Sequence, residues 1–241
     1  HVPRRILGRG SNVLVRDEGV SGVVVVLSAA PFTEISVTGN IVACGGGAKL
    51  GHAISTAVSA GLAGLETLVG IPGTIGGALH GNAGGHGGDI GQWASHATVL
   101  TRNGEFLTRE QSELVFTHRE SSLNELAIID AQFSLEDEDP QVVAKRMQKE
   151  WIATKAAQPL SHENAVCVFK DARGMSAQTL IEQAGLKGES AGGAEVSSRH
   201  ANFIVAQPGT PAADVLKLIE IVRNAVAERM GVELETQVEI W

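Results

Sequence analysis

Between Gly70 and Gly88 the chain reads Gly-Ile-Pro-Gly-Thr-Ile-Gly-Gly, then Ala-Leu-His, then Gly-Asn-Ala-Gly-Gly-His-Gly-Gly. Nothing else in the sequence narrows the possible folds as much. A run this rich in glycine supports no long regular element and loses much conformational entropy when it is fixed. A long flexible loop is one reading. However, Ile71, Pro72, Ile75 and Leu79 are too apolar for an exposed linker, and they favour a loop whose backbone comes close to a ligand. The chain holds 29 glycines in 241 residues, clustered at 8–10, 45–47, 70–77, 81–91 and 192–193 without a short period, which excludes a collagen-like repeat.

A second motif, Gly8-Arg-Gly-Ser-Asn12, lies between two apolar strands. Two glycines one residue apart let successive amides converge into an anion-binding nest, and Ser11 and Asn12 add side-chain donors. A tight β-turn would use the same residues, so both readings stand on spacing alone.

The rest of the chain reads as many short strands and about four helices. Arg5–Leu7, Val13–Val15 and Gly22–Leu27 are expected as short buried strands. Thr33–Val37 and Asn40–Ala43 form a hairpin through Thr38-Gly39, and Ala97–Leu100 with Glu105–Leu107 forms another through Asn103-Gly104. Ala127–Leu135 alternates like a strand. Helices are expected over Lys49–Ala60, Gln141–Ala156, Ala177–Ala184 and from Thr210-Pro211 to Gly231. The last has Thr210 as N-cap and an apolar stripe of Val215, Leu218, Ile219, Val222 and Val226. Gln158–Glu163 reads as a linker, and Glu233–Trp241 as a final strand. Without strict β-α alternation, and without a G-x-G-x-x-G opening a helix, the class is α+β rather than a doubly wound parallel sheet.

Composition removes several functions. The net charge of −8 with no basic block argues against nucleic acid as a partner. No apolar run approaches the roughly 18 residues of a membrane span. Two cysteines, Cys44 and Cys167, make no disulfide scaffold, and no signal peptide opens the chain, so a cytoplasmic protein is expected. No metal site is expected.

Several motifs together carry a resemblance. Gly8–Asn12 is followed by Leu14-Val-Arg-Asp17 and then by Gly64-Leu-Glu-Thr-Leu-Val-Gly-Ile-Pro-Gly73. After these come Phe116-Thr-His-Arg-Glu-Ser121, Val168-Phe-Lys170, Leu180-Ile-Glu-Gln-Ala-Gly-Leu-Lys-Gly188 and His200-Ala-Asn-Phe-Ile204. In kind and order they resemble the UDP-N-acetylenolpyruvoylglucosamine reductases over nearly the whole chain. The resemblance implies an α+β fold: an FAD-binding domain of the vanillyl-alcohol-oxidase type plus a smaller substrate-binding domain. The partition it implies is an FAD-binding region at 1–157, a substrate domain at 158–232, and a terminal strand at 233–241 returning to the first region. A family strand-helix-strand portion ahead of Gly8 is not in the chain, either absent from the protein or lying before His1. The implied chemistry is reduction of an enolpyruvyl ether on a UDP-sugar, with NADPH as reductant and FAD as carrier, by a monomer working in peptidoglycan precursor synthesis.

The resemblance also implies roles. Gly8, Arg9, Gly10, Ser11 and Asn12, with Ile71, Pro72, Gly73, Thr74, Gly76, Gly77, Asn82 and Gly84, would hold the cofactor. Cys167 falls where the family places a Ser, and in some members a Cys, as proton donor. A thiol is competent there, although a lone cysteine also reads as a buried structural thiol. Arg119 falls on the catalytic arginine. His118 stands where Tyr is usual, and the chain has no Tyr, which matches the shorter branch lacking a Tyr-bearing loop. Gln237 occupies the position of a second acid and cannot exchange a proton as a carboxylic acid does. Glu235 and Glu239 lie on the same face of an extended strand, and a small shift in register could let Glu239 replace it; both could equally be plain surface carboxylates. Lys170, Asp171 and Glu182 are expected at the substrate, with Asp171 replacing an Asn; Asn202, like Glu182, could equally be structural. Two rivals remain: a diverged flavoprotein with reduced or altered activity, and a non-catalytic nucleotide-sugar binding protein.

Overall fold

A computed structural model describes residues 2–85, 87–159 and 164–241. Two compact units emerge. The first comprises His1–Ser11 and Gly22–Thr154, and the second Asn12–Ser21 and Lys155–Trp241.

The first unit is built on a five-stranded antiparallel sheet. Its order is Phe106–Glu110, Ala94–Leu100, Ala127–Ser134, Ile41–Gly45, Ile35–Thr38. Both expected hairpins are present, turning at Gly39 and Gly104 in the left-handed region. Alternation in the Ala127–Ser134 strand sends Ala131 and Phe133 into the core, where they join Val42, Leu50, Ile54, Leu65, Leu68, Ile75 and Leu79. The helix Leu50–Ser59 stops where Gly61 takes a φ of 74°. Directly before that helix, Gly45-Gly-Gly47 lies against other backbone: a Cβ on Gly46 would overlap the Ile128 carbonyl, and one on Gly47 the Leu27 carbonyl. One expectation fails here. Val23–Val25 pairs in parallel with Arg4–Ile6, but its valines are exposed rather than buried. Among the described residues that two-stranded ribbon is not paired to the five-stranded sheet.

The second unit has a four-stranded antiparallel sheet, ordered Ala165–Cys167, Phe203–Ala206, Ala194–Val196, Ser190–Ala191. These strands were not read from the sequence, being two to four residues long. Helices Ala177–Gln183 and Ala212–Met230 supply its core, and the whole stripe of Val215, Leu218, Ile219, Val222 and Val226 is buried. Gly231 ends the long helix in the left-handed conformation, φ 66°. Thr210 does not cap it; its hydroxyl donates to the Gln207 carbonyl at 2.8 Å. The Asp17 carboxylate caps instead, accepting from Ala212 N at 2.7 Å and Ala213 N at 3.1 Å. A carboxylate from elsewhere in the chain does the work of a local N-cap and also complements the helix dipole.

The terminal segment differs from the expected partition. Only Glu239–Ile240 is a strand, and it pairs in parallel with Val13–Leu14 inside the second unit. Glu239 N donates to Asn12 O at 3.0 Å, Trp241 N to Leu14 O at 2.9 Å, and Arg16 N to Trp241 O at 2.9 Å. These bonds tie Asn12–Ser21 into the second unit. The other boundary falls within the helix Pro140–Ala157; of the expected linker, residues 160–163 lie outside the described residues.

The capping arrangement gives a stability prediction. Asp17→Ala should lower the unfolding free energy by about 1 kcal/mol, the usual worth of a lost N-cap, and Thr210→Ala by less. Urea denaturation of both variants checks this, and equal losses would contradict the assignment.

Candidate functional site

In the first unit, the two glycine motifs expected to hold a cofactor lie against each other. Ser11 Oγ donates to the Pro72 carbonyl at 3.1 Å, across 61 positions of sequence. A Cβ on Gly8 would stand 2.7 Å from Thr74 Oγ1, and one on Gly73 3.3 Å from Ser11 Oγ. Gly73 also has a φ of 138°, which side chains rarely tolerate. The loop Gly70–Thr74 is pinned from beneath by the segment 46–50. Gly76 N donates to Gly46 O at 2.7 Å, Ile75 N to Ala48 O at 2.9 Å, and Leu50 N to Gly73 O at 3.2 Å. Thr74 Oγ1 accepts from Gly77 N at 3.3 Å and caps the short helix Ile75–His80. Ile71 packs on the core, whereas Arg9 and Gly10 are exposed. This supporting shelf was missed in the sequence, although the cluster Gly45–Gly47 was visible there.

The later half of the glycine run forms a second feature. Asn82 is 2% exposed and has a φ of 41°. Its Nδ2 donates to Thr117 O at 2.8 Å, and its Oδ1 accepts from Gly91 N at 3.1 Å. Its amide thus ties the run to the Phe116–Ser121 hairpin. Arg119, at the turn of that hairpin with a φ of 60°, donates from Nη1 to Gly84 O at 2.9 Å. Asn82, Gly84, Asp89, His118 and Arg119 are among the residues around a cavity of about 130 Å³. His86 lies outside the described residues.

These residues suit a flavin nucleotide. Backbone comes close where Cβ atoms are missing at Gly8 and Gly73, and a guanidinium is tethered to the same glycine run through Gly84 O. Beneath them, buried Glu66 bonds Gly64 N and accepts from Arg146 Nε at 2.6 Å, which fixes the start of the Gly64–Gly73 motif.

In the second unit, Cys167 ends the strand Ala165–Cys167 and is half-buried. The residues after it are held on both sides. Val168 N donates to Asn202 O at 2.9 Å, and Gln237 N donates to Val168 O at 2.8 Å. Asn202, 5% exposed, clamps Phe169 with Oδ1 on its N–H at 2.9 Å and Nδ2 on its carbonyl at 2.8 Å. Asn202 is therefore a structural polar group. Gln237 comes beside the Cys167 backbone: its Nε2 donates to Cys167 O at 3.2 Å. Asn12, expected at the cofactor, belongs to this unit, and its Nδ2 donates to Gln237 O at 2.9 Å.

The expected substrate residues also have protein partners. Lys170 Nζ lies 3.8 Å from the largely exposed Glu235 carboxylate. Asp171 Oδ1 accepts from Ala177 N at 2.8 Å, at the start of the helix Ala177–Gln183. Glu182 meets Lys187 Nζ at 2.7 Å and Gln178 Nε2 at 3.0 Å. The Lys187 bond, then the Gln178 bond, hold its carboxyl below the ordinary range. Glu235, Gln237 and Glu239 do not share one strand face, because regular strand covers only Glu239–Ile240. The other cysteine, Cys44, is buried in the first unit, and burial pushes its thiol up to about 12.

Among the described residues, no group of His, Cys, Asp and Glu could hold a metal ion. No described helix is long and apolar enough to cross a membrane.

Residues 1–109 match the model of an FAD binding domain, and residues 158–241 match the C-terminal domain of UDP-N-acetylenolpyruvoylglucosamine reductase. The Symbiobacterium thermophilum protein named UDP-N-acetylenolpyruvoylglucosamine reductase 2 is 43% identical over 242 residues, covering 100% of this chain and 78% of that one. The Listeria innocua reductase is 43% identical over 241 residues, covering 99% of this chain and 80% of its own. The crystal structure of the Thermus caldophilus reductase superposes with a TM-score of 0.87 at 35% identity, covering 100% of this chain and 86% of that one. The chain belongs to the UDP-N-acetylenolpyruvoylglucosamine reductases, flavoenzymes with an FAD-binding domain.

Proposed function

We propose that the protein reduces UDP-N-acetylenolpyruvoylglucosamine to UDP-N-acetylmuramate with NADPH, as a monomer in the cytoplasm, in peptidoglycan precursor synthesis. The observation that carries this reading furthest is the tether from Arg119 to Gly84 O. It attaches the cation that the reaction needs to the loop expected to hold the cofactor.

Gly8–Ser11 and Ile71–Gly77 would hold the FAD, with Asn82 and Gly84 fixing the second half of the run. FAD, when bound, supplies hydride transfer from a nicotinamide donor to the vinyl carbon of the substrate. The protein's own part is charge and proton handling. Arg119 binds the substrate carboxylate and stabilises the negative charge that builds there as the double bond is reduced. Cys167 Sγ–H donates the proton to the carbon bearing that carboxylate. An ordinary thiol titrates near 8.5, so it is protonated at neutral pH yet gives up its proton far more readily than a serine hydroxyl. Lys170 meets the diphosphate, exchanging its long pairing with Glu235 for a phosphate oxygen. Asp171 acts as a helix cap, and Glu182 positions Lys187.

A second reading, a flavoprotein of this family with altered activity, draws on Gln237, an amide where the resemblance implies an acid. Anaerobic half-reactions separate the two. Under the first reading NADPH reduces the bound flavin, and the enolpyruvyl UDP-sugar then reoxidises it. Reduction without reoxidation would favour the second reading.

Three variants test the roles. Gly8→Val should lose most of its bound FAD, because the added branches meet Thr74; full flavin content would remove Gly8 from the cradle. Cys167→Ala should slow reoxidation by about a hundredfold or more, while NADPH still reduces the flavin; loss of both steps would sink the proton-donor role. Arg119→Met should slow reoxidation by roughly 10²–10³-fold, and an unchanged rate would refute its place at the substrate carboxylate.

A further inference from the structure

We propose that Gln237 is a positioning residue rather than an acid: its side-chain N–H holds the Cys167 carbonyl, and Asn12 holds Gln237 in turn. This rests on the proton-donor role proposed for Cys167.

Gln237 grips two successive carbonyls. Its main-chain N–H donates to Val168 O at 2.8 Å, and its side-chain Nε2 to Cys167 O at 3.2 Å. Its own carbonyl accepts from Asn12 Nδ2 at 2.9 Å. With the Asn202 clamp on Phe169, the peptide groups from Cys167 to Phe169 are fixed by side-chain amides as well as by backbone bonds. The Cys167 Sγ is thereby carried on a segment whose register is set from two directions.

The chemistry of the contact decides what residue 237 can be. A backbone carbonyl only accepts, so its partner must donate. A primary amide donates at every pH, and a carboxylic acid only while protonated; an ionised carboxylate would oppose the Cys167 carbonyl. Glutamine is therefore suited to this contact, and it has no proton to exchange. Among the described residues, charged or titratable groups by the segment include Lys170 paired with Glu235, Asp171 bonded to Ala177 N, Glu239 two residues beyond Gln237, and His200 packed edge-on against Phe203, the strand partner of Cys167. Asn12, by the same geometry, serves the second unit and the proton donor rather than the cofactor.

The test uses the FAD-loaded protein and two readouts. The first is the rate at which the enolpyruvyl UDP-sugar reoxidises NADPH-reduced flavin, as a ratio of variant to wild type across pH. Gln237→Glu should come nearest the wild-type rate at the acid end of the profile, below about pH 4.3 where an ordinary Glu carboxyl still carries its proton, and should lie about tenfold below wild type by about pH 6 and above, once the carboxyl is ionised and the donor is lost. Gln237→Met, similar in length but without a donor, should be depressed at every pH. A Gln237→Glu variant that matches or exceeds wild type at the alkaline end would overturn the proposal and make residue 237 an acid site. The second readout is the rate of Cys167 alkylation by iodoacetamide, which needs no substrate; Cys44 is buried and stays unreactive. Gln237→Met and Asn12→Ala should each change that rate at least about threefold, in the same direction, as expected for loss of one hydrogen bond. Unchanged rates in both overturn the proposal even if the reaction itself is as proposed. Changed rates in a wild-type background that the substrate never reoxidises would instead refute the function while keeping the contact. Asn12→Ala should also retain its flavin, and a flavin-free variant would return Asn12 to the cofactor.

Discussion

The close stacking of backbone on backbone at Gly45–Gly47 is what the rest of the first unit depends on. Gly46 receives the Gly76 N–H and lies under the Ile128 carbonyl, with no room for a Cβ. That contact fixes the start of the Leu50–Ser59 helix on one side and the Ile71–Gly77 loop on the other. Only then can Gly8–Ser11 reach Pro72 and Thr74. Ordering so much glycine is entropically costly. The cost is offset by hydrogen bonds between Gly73, Ile75 and Gly76 and the segment 46–50, which directly follows the strand Ile41–Gly45. The loop is thus held by the protein's own contacts, which suits the cofactor-holding role proposed for it.

In the second unit the same economy is reached through pairings far apart in sequence. Asn12–Asp17 spans three jobs in six residues: Asn12 reaches Gln237, Val13–Leu14 pairs with the terminal strand, and Asp17 caps the Ala212–Met230 helix. Removing Asp17 would leave orphan N–H groups at the start of that helix, whose stripe forms much of the unit's core. The geometry around Cys167 therefore depends on a segment that begins inside the cofactor motif.

How much of this was legible in the sequence follows from the range of each interaction. The hairpins at Gly39 and Gly104, the helix stop at Gly61 and the stripe on the last helix are local patterns, and each is present. The glycine motifs read as a cofactor cradle because their spacing carries chemistry, and the two motifs do lie against each other. The shelf at Gly45–Gly47 was visible as composition but not as a role, since the atoms that forbid its Cβ atoms come from Phe32, Leu27 and Ile128. The N-cap at Thr210 was misread for a related reason: a local hydroxyl fits the pattern, but a carboxylate 195 positions away takes the contact. The strands of the second sheet are too short for periodicity to register.

The two departures from the family's acid-base pattern, Asp171 and Gln237, make better sense as backbone partners than as reacting groups. Each has its side chain on main chain: Asp171 on Ala177 N, Gln237 on Cys167 O. In each case the residue type matches what its partner offers, an acceptor facing an N–H and a donor facing a carbonyl. Asp171 at a helix start also stands where the helix dipole favours an acceptor. With these two positions holding backbone, the proposed reading leaves proton transfer to one group, the Cys167 thiol, and charge stabilisation to Arg119. On that proposal the acid-base side of the reaction is simpler than the resemblance alone implies, with the proton placed on a side chain whose backbone is held by amides that do not titrate.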